Sequence, residues 1–151
     1  MVIKMPDLVS HVLIALILCE LFNLKPKSLV ILGAILPDIT QKLYLILPVS
    51  DALFWFLIPF HTPIGEILLS FIVIQFFSID RKKSFLLLLL GWSSHFLSDM
   101  LSRHFLLGQL LLFPFSWKSF EFGILWFDKY YYILVVLIII YVGIKTLKFI
   151  K

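Results

Sequence analysis

The chain reads as an all-α, polytopic membrane protein: a bundle of about four to five transmembrane helices with one short re-entrant or interfacial segment. Two compositional observations predict this. Of 151 residues, 62% are hydrophobic and 15% charged, and mean hydropathy is +1.07, which leaves too little polar surface to cover a soluble globule of this length. A third observation is the grouping of the apolar residues into runs close to the roughly 20 needed to cross about 30 Å of hydrocarbon. The whole chain, 1–151, makes one integral membrane domain with no room for a separate soluble one.

The runs follow in order. Leu8 to Leu24 is the first helix, closed by Lys25-Pro26-Lys27, a helix breaker between two charges. No small-residue cleavage site follows it, so it reads as an uncleaved helix and not as a signal peptide. Ser28 caps the second run, Leu29 to Leu47, which Pro37 is expected to bend or break because proline lacks the backbone donor. Asp51 to His61 is aromatic and proline-bounded, fitting a short interfacial or re-entrant piece. Ile64 to Ile79 is the third apolar helix, with Thr62 as N-cap and Pro63 at its first position.

Asp80-Arg81-Lys82-Lys83 forms a charged turn, and Phe85 to Leu101 is the fourth helix, polar only in its second half. Phe105 to Asp128 is an irregular aromatic connection suited to the interface. Tyr130 to Ile150 is a final anchor ending among Lys145, Lys148 and Lys151.

The net charge of +4 and pI near 9.2 do not indicate a nucleic-acid partner, because the basic residues lie scattered at the ends of apolar runs. They act as topology signals. Lys25, Lys27, Arg81, Lys82, Lys83, Lys145, Lys148 and Lys151 gather on one side, eight of the 13 basic residues, and that side is expected to be cytoplasmic. The single cysteine, Cys19, permits no intrachain disulfide and reads as a packing residue. Glu20, near the same edge, is expected to snorkel or to pair with a lysine.

Counting from that edge at 1.5 Å per helical residue places Asp38 about 15 Å up, His95 about 18 Å, His11 about 21 Å, Asp99 about 24 Å and His61 about 28 Å. Separate segments thus deliver ionisable side chains to the outer half of the membrane, where such groups are costly and mark function. His95 and Asp99, four apart, share one helix face about 6 Å from each other. Each residue alone has an ordinary structural explanation: a turn for Asp38, a cap for His61, an interfacial position for His11. Five at one depth do not.

Imidazole and carboxylate together suit zinc, manganese or iron. Such a site with an open position lowers the pKa of water and makes hydroxide available near neutrality. Glu66, one turn beyond His61, and His104 are the candidate acid–base residues, and Asp51 is a candidate supporting group. A carboxylate at Glu66 also suits the helix N-terminus, and His104 also suits an interface. No glycine-rich phosphate loop, nucleophile elbow or CxxC motif is present.

Five blocks in order carry a resemblance: Met5-Pro6-Asp7-Leu8-Val9-Ser10-His11; Leu32-Gly33-Ala34-Ile35-Leu36-Pro37-Asp38-Ile39; His61-Thr62-Pro63-Ile64-Gly65; Gly91-Trp92-Ser93-Ser94-His95-Phe96-Leu97-Ser98-Asp99; and Leu112-Phe113-Pro114-Phe115-Ser116. Over these the chain resembles the membrane-bound, inner-membrane-associated metal-dependent hydrolases, particularly archaeal members. Many members have threonine where this chain has Ser10, and many carry a second histidine near the position of His61 that is missing here. The resemblance implies that His11, Asp38, His61, His95 and Asp99 bind the metal and that the activity is hydrolytic.

The expectation is therefore a multi-pass cell-membrane protein with a divalent ion, zinc or manganese, on the extracytoplasmic side, cleaving an ester or phosphoester of a lipid or lipid-linked substrate. Its partners are membrane lipids. Two other classes share the same ligands: a scaffold stapled by metal or by histidine hydrogen bonds, and a metal-ion transporter, which needs a polar path to the cytoplasmic side.

Overall fold

A computed structural model describes residues 8–46, 51–77, 80–103, 108–125 and 130–150. Among them the architecture is helical: α1 Leu8–Leu21, α2 Lys27–Ile46, α3 Asp51–Leu57, α4 Pro63–Val73, α5 Arg81–Leu101 and α6 Tyr130–Ile150, with 3-10 turns at Ile58–His61 and Ile74–Phe76.

Among the described residues two helices, Arg81–Leu101 and Tyr131–Ile150, are long and apolar enough to cross a membrane, and a third span is completed if the Trp55–His61 and Pro63–Phe76 pair, bent by 82°, counts as one. This corrects the expectation of four to five. α1 has 14 residues and reaches only about 21 Å, and α2 carries Pro37, Asp38, Gln41 and Lys42 in its second half. The exposed flanks of α4 and α6, with Leu68, Phe71, Ile72, Val135 and Ile139 all about half uncovered or more, are surfaces for lipid and not for water.

α1 stops three residues early for a backbone reason. Asn23 adopts a left-handed φ of 53°, and Leu24 N–H donates to the Cys19 carbonyl at 3.0 Å, the bonding of a Schellman cap. Hydrophobicity runs on to Leu24, but the helix does not. α2 departs the other way: it continues through Pro37. The missing hydrogen bond and ring clash cost about 3 kcal/mol, and the extensive face α2 shares with α5 offsets them.

That face depends on small residues. A Cβ on Gly33 would lie 2.1 Å from the Leu88 carbonyl oxygen, and one on Gly91 2.0 Å from that of Val30. The two backbones therefore touch at the crossing, as membrane helices do where small residues replace side chains. Ala15, Cys19, Leu29, Val30, Ala34, Ile74, Leu87 and Leu88 form the buried apolar core beside this crossing. One end of the crossing is apolar and the other carries the histidines.

The expected caps are present. The Thr62 hydroxyl accepts from Gly65 N–H at 3.2 Å and donates to the Pro59 carbonyl at 2.7 Å, which holds the sharp bend into α4. Asp80 Oδ1 accepts from the N–H groups of Lys82 and Lys83 at the start of α5. The connection after α5 is irregular, as its sequence predicts, but it is tied down. Arg103 N–H donates to the Leu125 carbonyl, Phe122 N–H to that of Met100, and Gln109 and Phe120 exchange both backbone bonds at 2.8 and 2.9 Å.

Candidate metal centre

Four elements and the connecting loop meet at one point. α5 contributes His95 and Asp99 on one face; α1 contributes His11; the 3-10 turn before α4 contributes His61; α2 contributes Asp38 just after its proline. His95 is fully buried, and His11, Asp38 and Asp99 are 2 to 3% exposed. His61, at 11%, forms the more open edge.

Asp99 is the hub. His11 Nε2 lies 3.3 Å from its Oδ1, while His95 Nε2 and His61 Nε2 lie 3.3 and 3.5 Å from its Oδ2. His61 Nε2 and His95 Nε2 are 3.0 Å apart. Two triads, His11–His95–Asp99 and Asp38–His61–His95, each bring their ligand atoms within 4.8 Å of one another. All five residues singled out from the sequence are thus brought together.

The protons on the rings follow from their outer partners. His95 Nδ1 is 2.8 Å from the Ala34 carbonyl, which only accepts, so Nδ1 carries the hydrogen. The Ser98 hydroxyl donates to the His95 carbonyl at 2.7 Å, so its oxygen accepts from His11 Nδ1 at 3.0 Å. Gln109 donates Nε2–H to Asp99 Oδ2 at 3.2 Å, which orients its amide oxygen toward His61 Nδ1, also at 3.2 Å. In each ring, therefore, Nδ1 is the donor, and in its neutral form the imidazole presents a bare lone pair at Nε2.

Three such lone pairs converge on a carboxylate. Acceptors packed 3.0 to 3.5 Å apart away from water repel unless a cation, metal ion or proton, lies among them. His11 Nε2 makes no hydrogen bond. The spacing has room for a metal: a tetrahedral ion with arms of about 2.0–2.1 Å separates its ligand atoms by about 3.3 Å. The donor set, imidazole nitrogen with carboxylate oxygen and no thiolate, suits zinc or manganese, and Cys19 is instead a core residue. An outer partner on each Nδ1 is also how metal-binding histidines are ordinarily oriented.

Glu66 lies in the first turn of α4, fully buried, with no hydrogen bond to either carboxylate oxygen. It belongs to neither triad. Ser70, one turn further, also has an unpartnered buried hydroxyl, so this face of α4 is polar inside the protein. His104 lies outside the described residues, as does the side chain of Asp51.

Sequence reasoning missed Gln109, the Ala34 carbonyl and the orienting role of Ser98. Gln109, 3% exposed in an aromatic loop, carries a weak signal as a lone amide flanked by Gly108 and leucines. A backbone carbonyl carries none.

A family model described as YdjM inner membrane protein matches residues 5–150, and the chain belongs to that family. No curated protein and no solved structure matches it.

Proposed function

We propose that this member of the YdjM inner membrane family is a metal-dependent hydrolase that holds a divalent ion, zinc or manganese, through Nε2 of His11, His61 and His95 and the carboxylate of Asp99, with Asp38 as a further ligand. The carrying observation is that every Nδ1 is engaged outward, leaving the three Nε2 lone pairs to meet at Asp99. When bound, the ion supplies Lewis acidity and lowers the pKa of water.

The chain's own residues do the rest. Ala34, Ser98 and Gln109 hold the rings, and the buried Glu66 carboxyl, in the first turn of α4, would take a proton from the attacking water and return it to the leaving oxygen. A site enclosed by membrane helices meets amphiphiles at high local concentration, which supports an ester or phosphoester of a lipid or lipid-linked molecule as substrate. The lysine-rich end at the opposite side of the bundle supports, by the positive-inside rule, a site toward the extracytoplasmic side.

One observation favours a second reading. With His95 fully buried and His11 and Asp99 nearly so, the same ion serves equally as a staple joining α1, α5 and the α4 bend.

Elemental analysis of the purified full chain beside the His95→Ala/Asp99→Ala double variant tests the site. Near-stoichiometric zinc or manganese in the native chain, lost in a variant that keeps its helical circular dichroism, is expected. Absence of metal in the native chain after reconstitution with each ion overturns the reading. Metal without turnover on lipid esters or phosphoesters assigns the staple.

A further inference from the structure

At the opposite end of the bundle, one carboxylate gathers three lysines from two other helices. Glu20 of α1 is 5% exposed. Lys27 at the start of α2 donates to its Oε1, Lys145 of α6 lies 3.5 Å from Oε1, and Lys148 lies 3.4 Å from Oε2 and donates to the Glu20 backbone carbonyl. Among the described residues these ammonium groups meet no other carboxylate. Three positive charges against one leave two uncompensated.

The lysines are not sealed in. Their side chains are 36, 53 and 44% exposed in chain order, and each ammonium has three hydrogens to donate and no acceptor. The corner therefore offers several unspent donors to an anion with several oxygens. Around it the surface is apolar: Leu21, Phe22, Leu147, Phe149 and Ile150 are all more than half exposed. α6 packs against α1, and its span is otherwise uncovered, so acyl chains have an open helix face directly beside the lysines.

We propose that Lys27, Lys145 and Lys148, which converge beside Glu20, bind the head-group phosphate of an anionic phospholipid whose chains lie along the exposed face of α6. A free phosphate satisfies the lysines but leaves the apolar margin uncovered. A zwitterionic lipid covers the margin but leaves the excess charge. Basic corners between membrane helices recognise lipid head groups through this combination. The lipid also ties α6 to the rest of the bundle at the end away from the histidines.

The test offers the full-length protein an equal mixture of phosphatidylglycerol and phosphatidylcholine in detergent and counts retained lipids by native mass spectrometry. The native chain is expected to retain phosphatidylglycerol preferentially. Lys145→Gln/Lys148→Gln is expected to lose that preference by roughly tenfold or more, at about fivefold per lysine, with Lys145→Gln alone showing part of the loss and Lys145→Arg/Lys148→Arg restoring it. Glu20→Gln separates lipid binding from a mere ion-pair clamp: it removes the clamp but raises the positive charge, so phosphatidylglycerol retention is kept or increased.

Parallel loss of retention in Glu20→Gln and the lysine variants overturns the proposal, as does native-like preference in Lys145→Gln/Lys148→Gln. Displacement of the bound phospholipid by millimolar inorganic phosphate assigns the corner to a free anion and overturns it as well.

Discussion

His95 donates its Nδ1–H to the Ala34 carbonyl oxygen 2.8 Å away, so the backbone of one helix sets the tautomer of a histidine on another. That bond is possible because Gly33 and Gly91 bring the two backbones together beside it. Packing and ring orientation are coupled at a single crossing.

Enlarging either glycine tests this coupling. Gly33→Ala and Gly91→Ala each place a methyl within 2.1 Å of a carbonyl oxygen, and the expected loss is about 1–3 kcal/mol of stability from overpacking. Both variants are also expected to bind metal more weakly, because the Ala34 carbonyl retreats from His95. Gly143→Ala, with nothing within 4 Å, is the control. Melting in detergent followed by metal analysis reads both effects, and native metal affinity in the two crossing variants would uncouple packing from the site.

Orientation of the other two rings rests on Ser98 and Gln109. Removing these partners by Ser98→Ala or Gln109→Ala leaves every proposed ligand in place. A fall in metal affinity of about 10–100-fold is expected for each, measured by competition against a chelator of known affinity. Unchanged affinity in both would mean that the rings are held by packing alone.

Asp99→Asn conserves shape and removes the charge that faces all three Nε2 atoms. Metal is expected to be lost although the helices persist in circular dichroism. Retention of a full equivalent would shift the carboxylate role to Asp38.

Glu66→Gln conserves volume in a fully buried position. Metal content is expected to be unchanged while hydrolysis slows about 100-fold or more, the ordinary contribution of an acid–base group. A native rate in this variant would reduce Glu66 to a packing residue.

Thr62→Ala removes the hydroxyl that both caps α4 and anchors the preceding turn. A loss of about 1 kcal/mol is expected from the cap, together with weaker metal binding, because His61 immediately precedes this bend. Stability reduced with metal affinity intact would show that the turn holds His61 without the cap.

Much of the protein was legible from local chemistry. Leucine, isoleucine and phenylalanine in long runs require a lipid-facing helical chain whatever the details, and Thr62-Pro63 marks a helix start because its hydroxyl and its missing N–H act within one turn. Counting rise per residue placed His11, Asp38, His61, His95 and Asp99 at comparable depth, and they do converge. The errors were errors of context. Pro37 breaks an isolated helix but not one supported along its length by α5, and the run to Leu24 outlasts α1 because Asn23 turns the backbone left-handed.

Composition and interactions spanning a turn or two were enough to establish the membrane setting, the helical class and which ionisable side chains would cluster. Which nitrogen of each histidine faces inward depends instead on contacts between distant segments. Their Nδ1 partners lie 61, 87 and 48 residues away along the chain, and a ring's rotation and tautomer are settled by such distant donors and acceptors, which helical periodicity cannot encode.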